Sequence, residues 1–373
     1  MRILLSLTEK CNLRCSYCYY KKSQEERCAE MSDEVREAAL RFALDKTIEF
    51  KQNALALTFF GGEPLLCFDA IRKSVDFLKE NVQRRRSELP EDFGVKLAIN
   101  TNGTLLNKEI LEYLDRENII IYLSLDGPAS RHDISRRTVN GKGSFDIIAP
   151  FIPELVRQNA FVLSVVTRNN IAGLADSEKW TKDQGFTQIQ NMVDFDGHWT
   201  VDEMNALAAE YYKLVEFWYE IKKQKSDFYI QSVQDHVLYH VLNLKMKQCS
   251  CDILKGTVGI ATNGNIFPCS RFITSKPNPP YLLGNVLDKE CHVFDGPVAQ
   301  EVYRFLETDK KECEGCGIIR RCSAHECGCT SFYTTGSLWG VSPEVCTHER
   351  ILTAICDEFT AKLQKEGEVE DVL

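Results

Sequence analysis

The sequence predicts an α/β fold, an open barrel of parallel strands followed by a cysteine-rich C-terminal extension. Three observations predict it. Six short β-rich runs alternate with helical stretches up to about residue 192, the pattern changes near Asp202, and most of the 16 cysteines are crowded after residue 248. Strands that alternate with helices imply parallel βα units. Six units are too few to close an eightfold barrel, so the expected architecture is a partial (β/α)6 TIM-like barrel. Ligand chemistry should then gather at the C-terminal ends of its strands, where the βα loops sit.

The strands are expected at residues 2–7, 55–60, 95–100, 119–125, 161–167 and 187–192. Helical patterns lie between them at 33–50, 68–85, 108–116, 145–158 and 174–184. Two further helices follow, 202–223 and 233–247, with Leu214, Phe217, Trp218 and Ile221 at helical spacing as core residues. Asn263-Gly264 between apolar runs predicts a hairpin over 258–268, and a last helix is expected at 347–363. This divides the chain into a barrel (1–200), a helical connection (201–248) and the cysteine-rich segment (249–373), ending in an acidic, solvated tail.

Composition excludes several classes. The net charge of −9 argues against a nucleic-acid groove, which needs a basic surface to neutralise phosphates. No run of about 18 apolar residues offers a membrane span. The apolar N-terminal run is too short, and too soon followed by Glu9 and Lys10, for a secretory signal. A disulfide scaffold therefore fits poorly, and the cysteines are expected to be metal or cluster ligands in a reduced cytoplasm.

The first strand runs into Cys11-Asn12-Leu13-Arg14-Cys15-Ser16-Tyr17-Cys18, a CxxxCxxC loop. Three thiolates on one loop suit three irons of a [4Fe–4S] cubane and leave the fourth iron open to a small chelate. The amino and carboxylate groups of S-adenosylmethionine (SAM) form such a chelate, and electron transfer to its sulfonium frees a 5′-deoxyadenosyl radical. Zinc is the bland alternative, but structural zinc usually takes four ligands, often as two CxxC pairs. Phe60-Gly61-Gly62-Glu63-Pro64 ends the second strand; the glycines permit close backbone approach, and Glu63 either orders the turn or holds the SAM ammonium. Thr101-Asn102-Gly103-Thr104 ends the third strand and Ser124-Leu125-Asp126-Gly127-Pro128 the fourth. Ser124 and Asp126 suit ribose hydroxyls or a capped turn equally. Arg136 and Arg137 follow on a polar loop, suited to a carboxylate or to surface pairing.

This order of motifs resembles the radical SAM superfamily, and more narrowly its branch with a cysteine-rich SPASM extension, which includes anaerobic sulfatase-maturating enzymes and peptide maturases. The resemblance spans nearly the whole chain. It implies that Tyr17 contacts the adenine through its backbone, Gly62 the SAM amino group, Ser124 the ribose and Arg136 the carboxylate, with Ile189 on the sixth strand also at the cofactor. In the extension, Cys251, Gly264 and Cys269 are followed by Cys313-x2-Cys316-x5-Cys322-x4-Cys327 and a lone Cys346. The branch has three residues where four separate Cys322 from Cys327 here, and Cys329 stands close behind. The resemblance implies two auxiliary [4Fe–4S] clusters, making three with the radical cluster. Auxiliary cluster I would use Cys249, Cys251, Cys269 and Cys327 (or Cys329); auxiliary cluster II would use Cys313, Cys316, Cys322 and Cys346. Cys28, Cys67, Cys291 and Cys356 are left without chemistry, as free cysteines often pack as small hydrophobes.

The substrate implied is a peptide or protein, and the reaction an oxidation after hydrogen abstraction, with a thioether or carbon crosslink as product. Sulfatase-maturating relatives carry a catalytic Asp directly after the hairpin cysteine. That position is Ser270 here, a poor base, so formylglycine formation is the alternative, beside a small-molecule oxidase and a non-catalytic zinc protein. A flavodoxin or ferredoxin is the expected electron donor. The chain opens on the first strand, so leader recognition is assigned to a separate protein or to the barrel mouth.

Overall fold

The computed structural model describes residues 1–20, 29–244, 253–254, 256–288 and 292–367. The strands are β1 (Arg2–Thr8), β2 (Ala54–Gly61), β3 (Gly94–Thr101), β4 (Ile119–Ser124), β5 (Phe161–Val166), β6 (Gln188–Val193), β7 (Tyr229–Ile230), β8 (Thr257–Ile260), β9 (Asn265–Phe267) and β10 (Gly284–Asn285). The helices between them are α1 (Asp33–Glu49), α2 (Phe68–Arg84), α3 (Lys108–Arg116), α4 (Ala129–Ser135), α5 (Phe145–Ile148), α6 (Ile152–Arg157), α7 (Leu174–Asp183), α8 (Val201–Lys223) and α9 (Gln231–Val241). Then come α10 (Pro297–Glu307), α11 (Ser323–Glu326), α12 (Gly328–Thr335) and α13 (Pro343–Glu366).

The chain falls into two compact units, and β4 is divided between them. The first holds Met1–Arg14, Cys18–Tyr122 and Asp252–Arg304. Its strand order is β10-β9-β8-β1-β2-β3, with β4 next. β1 pairs parallel with β2 and with β8, and β2 pairs parallel with β3. The hairpin β8–β9 turns at Asn263-Gly264, where Gly264 takes the positive φ of 86° that a glycine adopts without strain. So the first hairpin of the cysteine-rich segment extends the barrel sheet through β1, from Arg2↔Thr257 to Leu5↔Ile260. Ile3, Leu5, Leu55, Phe59 and Ile99 are fully buried and form the centre of this unit.

The second unit holds Cys15–Tyr17, Leu123–Cys251 and Phe305–Leu373. β5, β6 and β7 pair parallel in that order. Trp218, Leu214 and Tyr211 of α8 are buried, as their helical spacing predicts, while Phe217 is half-buried.

Helix starts follow local chemistry. Ser32 accepts from Val35 N–H at α1, Asn107 from Ile110 N–H at α3, and Thr200 with Glu203 forms a capping box at α8. Ser342 caps α13 with Pro343 in its first turn. The expected helix over 145–158 is broken: α5 and α6 flank a 3₁₀ turn at Ala149–Phe151. Pro150 and Pro153 each lack an N–H, so each begins a new short element and cannot continue the old one. Among the described residues no helix is long and apolar enough to cross a membrane.

Candidate functional site

In the first unit, the ends of β1, β2 and β3 come together. Gly61 and Gly62 allow it. A Cβ on Gly62 would lie 2.1 Å from the Lys10 carbonyl oxygen, and Gly61, at φ 132°, passes equally close to the Thr8 carbonyl. Gly62 N–H donates to Thr8 O and Glu63 N–H to Lys10 O, at 2.7 and 2.9 Å, so the β2 end clamps the root of the cysteine loop.

Glu63 is fully buried. Its Oε1 accepts from Leu65 N–H at 3.0 Å and Thr101 Oγ1 at 2.7 Å, and its Oε2 accepts from Asn102 N–H at 2.7 Å. Of the two roles the sequence left open for Glu63, ordering the turn is the one these bonds perform. Burial pushes its carboxyl up to about 7, against the pull of the three donors. Asn102 in turn donates to Asn12 Oδ1 at 3.0 Å and to Cys11 Sγ at 3.8 Å, and Leu13 N–H donates to the same sulfur at 3.4 Å. A chain of bonds thus runs from Glu63 through Asn102 to a loop thiol. Glu63→Gln places an amide where Asn102 N–H needs an acceptor. It should cost about 1–3 kcal/mol, read as a lowered urea midpoint with unchanged slope.

Cys11 and Cys18 belong to this unit and Cys15 to the second; none of the three is in a disulfide, and all are half-buried. Burial raises the Cys11 thiol, and the neighbouring Glu63 and Cys18 charges add to it. The hairpin cysteine, Cys269, also lies in the first unit and precedes a 3₁₀ turn at Ser270–Phe272. Ser270 hydrogen-bonds the Tyr19 hydroxyl, and Arg271 stacks over the Tyr19 ring at 5.1 Å.

The second unit presents a buried charge pair. Arg136 closes α4, so the segment expected as a loop is helical up to Ser135. It donates from Nε and Nη2 to both Asp126 oxygens at 2.9 Å. Asp126 also accepts from Val165 N–H at 2.8 Å and the Tyr17 hydroxyl at 3.2 Å, while Arg136 lies 5.3 Å from the Tyr17 ring centroid. The guanidinium holds the Asp126 carboxyl below its ordinary value despite complete burial. Asp126 therefore orients Arg136. Ser124 is half-buried at the end of β4, and Ile189 is buried in β6 between Val162 of β5 and Ile230 of β7.

Cys313, Cys316, Cys322, Cys327 and Cys346 all lie in the second unit, none of them in a disulfide. Cys316 N–H donates to Cys313 O at 3.0 Å, closing the CxxC turn. Cys346 packs on a small core of Cys322, Ala324 and Val345. Burial raises the Cys313 and Cys322 thiols, Cys322 to about 12, and the Cys346 charge adds to both. The four residues between Cys322 and Cys327 form the one-turn helix α11. Cys327 caps α12, accepting from Thr330 N–H at 3.4 Å, while Cys329 is buried inside that helix. Cys249 and Cys251 lie outside the described residues. Among the described residues no three His, Cys, Asp or Glu side chains converge on one metal-binding point.

Comparison with known proteins agrees with this geometry. Residues 5–172 match the family model of the radical SAM superfamily. The chain is 23% identical over 326 residues to a cysteine-type anaerobic sulfatase-maturating enzyme of Clostridium perfringens, covering 84% of each. It is 24% identical over 341 residues to the radical SAM cyclopropyl synthase TigE of Paramaledivibacter caminithermalis, covering 86% of this chain and 66% of that one. The solved structure of native anSMEcpe with bound AdoMet and Kp18Cys peptide superposes with a TM-score of 0.79 at 19% identity, covering 98% of this chain and 99% of that one. The likeness establishes the partial-barrel fold. The CxxxCxxC loop at the end of β1 falls within residues 5–172, and this stretch of the chain is a radical SAM domain.

Proposed function

We propose that this enzyme is of the SPASM type, that it takes a hydrogen atom from a peptide or protein substrate, and that it oxidises the resulting radical to a thioether or carbon crosslink. What carries the reading is a second set of free thiols, Cys313, Cys316, Cys322 and Cys346, in addition to the three-cysteine loop. Four thiolate donors match the ligand count of a closed [4Fe–4S] cluster, whose use is one-electron redox. The cysteine loop fits the radical cluster: three thiols with none in a disulfide, one accepting two N–H donors, on a backbone that Gly61 and Gly62 let the β2 end approach.

When bound, the cluster and SAM supply a 5′-deoxyadenosyl radical that abstracts hydrogen. The protein's own residues hold and orient. Cys11, Cys15 and Cys18 ligate the first cluster, Gly62 offers its backbone to the SAM amino group, Ser124 takes the ribose, and Arg136, fixed by Asp126, faces the carboxylate. Tyr17 contributes backbone to the adenine and Ile189 an apolar wall. Residues 249–373 form the SPASM domain, and Cys249, Cys251, Cys269 and Cys327 hold the remaining cluster. Joining two residues removes two protons and two electrons. One of each would leave with the 5′-deoxyadenosyl group; an auxiliary cluster held by Cys313, Cys316, Cys322 and Cys346 would supply the acceptor for the second electron, and the second proton would go to solvent.

The peptide class is supported by the relatives, one a sulfatase maturase and one solved with a Kp18Cys peptide. Crosslinking is favoured over formylglycine formation because Ser270, bonded to Tyr19, stands where a carboxylate base is required. The test is anaerobic reconstitution followed by incubation with SAM, dithionite and candidate peptides. About 12 iron and 12 sulfide per chain are expected, three cubanes. Mass spectrometry should show peptide that has lost two hydrogens and kept its sulfur. A hydrazide-reactive aldehyde would establish the formylglycine alternative instead. Stoichiometric zinc with about four iron would remove the auxiliary clusters and leave only the radical site.

A further inference from the structure

We propose that Lys310 places a fixed positive charge beside the auxiliary cluster of Cys313, Cys316, Cys322 and Cys346 and so raises its reduction potential; this rests on the reading that those thiolates hold a [4Fe–4S] cluster. Lys310 is 1% exposed, and lysine is almost never buried so completely without partners. Its Nζ donates to Ala324 O at 2.7 Å, Ser331 Oγ at 2.5 Å and Gly340 O at 3.0 Å. The Ser331 hydroxyl spends its own proton on Cys327 O at 2.9 Å, so it meets Lys310 as an acceptor. Three acceptors and no donor hold the ammonium form. The Phe305 ring, 5.7 Å away, presents its negative face to the same charge.

Lys310 is tied to the same segments as two of these cysteines. Lys310 O accepts Cys313 N–H at 2.9 Å, and Ala324 stands two residues after Cys322. Burial holds the ammonium below its ordinary value, and the charges of Cys327, Cys313, Cys322 and Glu326 offset this only in part. One-electron reduction takes a [4Fe–4S] core from 2+ to 1+, so the complex with four thiolates becomes more negative. A buried cation therefore stabilises the reduced form, and in a low dielectric it does so strongly. Glu326 acts in the opposite sense. It is 5% exposed, its Oε1 is 2.7 Å from His325 Nδ1, and its Oε2 has no hydrogen-bond partner among the described residues. His325 also lies 3.3 Å from the exposed Asp309 carboxylate. Lys310 is thus a positioning residue acting through the cluster.

The experiment is a dithionite titration of the anaerobically reconstituted full chain, followed by electron paramagnetic resonance. Lys310→Met should shift the potential of this cluster to more negative values and Glu326→Gln to more positive ones, with the radical cluster unchanged. A merely structural lysine would not produce shifts of opposite sign. Cys316→Ala, assayed for iron, identifies the signal and tests the underlying reading separately: if it removes no iron, the cluster is absent and the inference falls with it. If the cluster is present and neither substitution moves its potential, Lys310 is a structural staple and the inference is overturned. Should Lys310→Met fail to take up the cluster, Lys310→Gln, which keeps a hydrogen-bond donor without the charge, decides, and an unchanged potential there overturns the proposal.

Discussion

Cys15→Ala is expected to abolish 5′-deoxyadenosine formation while leaving the chain folded. The loop offers only three thiols, so losing one leaves two irons anchored and no defined open iron for a chelate. The fold should survive because the loop is held by other groups. Ser16 N–H donates to Ser135 O at 3.1 Å, and the Tyr17 hydroxyl donates to Asp126 at 3.2 Å. Neither bond uses the Cys15 sulfur, and the cysteine itself is only half-buried. The variant should lose about four of about 12 iron and keep the rest. Chromatography of reactions with SAM and dithionite provides the measurement. Undiminished 5′-deoxyadenosine from a cluster-replete variant would contradict the assignment of the loop.

The barrel was legible because its signals are local. β1 to β6 appear within one or two residues of their apolar runs, and the cysteine loop, the paired glycines and Thr101-Asn102 fall at strand ends where a βα architecture puts them. Local signals fail where tertiary distance decides. Glu63 read equally as a turn former and a SAM ligand. Only the placement of Thr101 and Asn102, 38 and 39 residues further on, shows both its oxygens occupied. Asp126 read equally as a ribose ligand and as a turn cap, and Arg136, Val165 and Tyr17 take its oxygens. Lys310 carried no signal, since its three acceptors lie 14, 21 and 30 residues away. A lysine just before a cysteine motif reads as an ordinary exposed charge. The one available hint was the extra residue between Cys322 and Cys327, a departure that demanded some local compensation.

Cys316→Ala should separate radical generation from product formation. Cys11, Cys15 and Cys18 lie on the β1 loop, whereas Cys316 lies in the segment after α10. Removing its sulfur should cost about four iron and leave SAM cleavage near the parental rate. Oxidised product should fall sharply, because the substrate radical then has no nearby acceptor for its electron. The radical instead takes hydrogen back, and 5′-deoxyadenosine accumulates out of proportion to product. Folding is the competing explanation, since a cluster that bridges Cys313 to Cys346 also contributes to stability. The structure limits that explanation. Cys316 is outside the small core of Cys322, Ala324 and Val345, and it lines a cavity of about 340 Å3 with Gly315, Gly317, Ile318, Arg350 and Asp357. Its turn is closed by backbone, Cys316 N–H to Cys313 O, which alanine preserves. Circular dichroism of the variant therefore comes first, then iron, then the ratio of 5′-deoxyadenosine to product. A folded variant that lacks one cubane and still makes product at the parental rate would strip this cluster of its electron-accepting role. The cluster would then be a cross-link between Cys313, Cys316, Cys322 and Cys346, and the oxidising electron would have to leave through the cluster of Cys269 and Cys327.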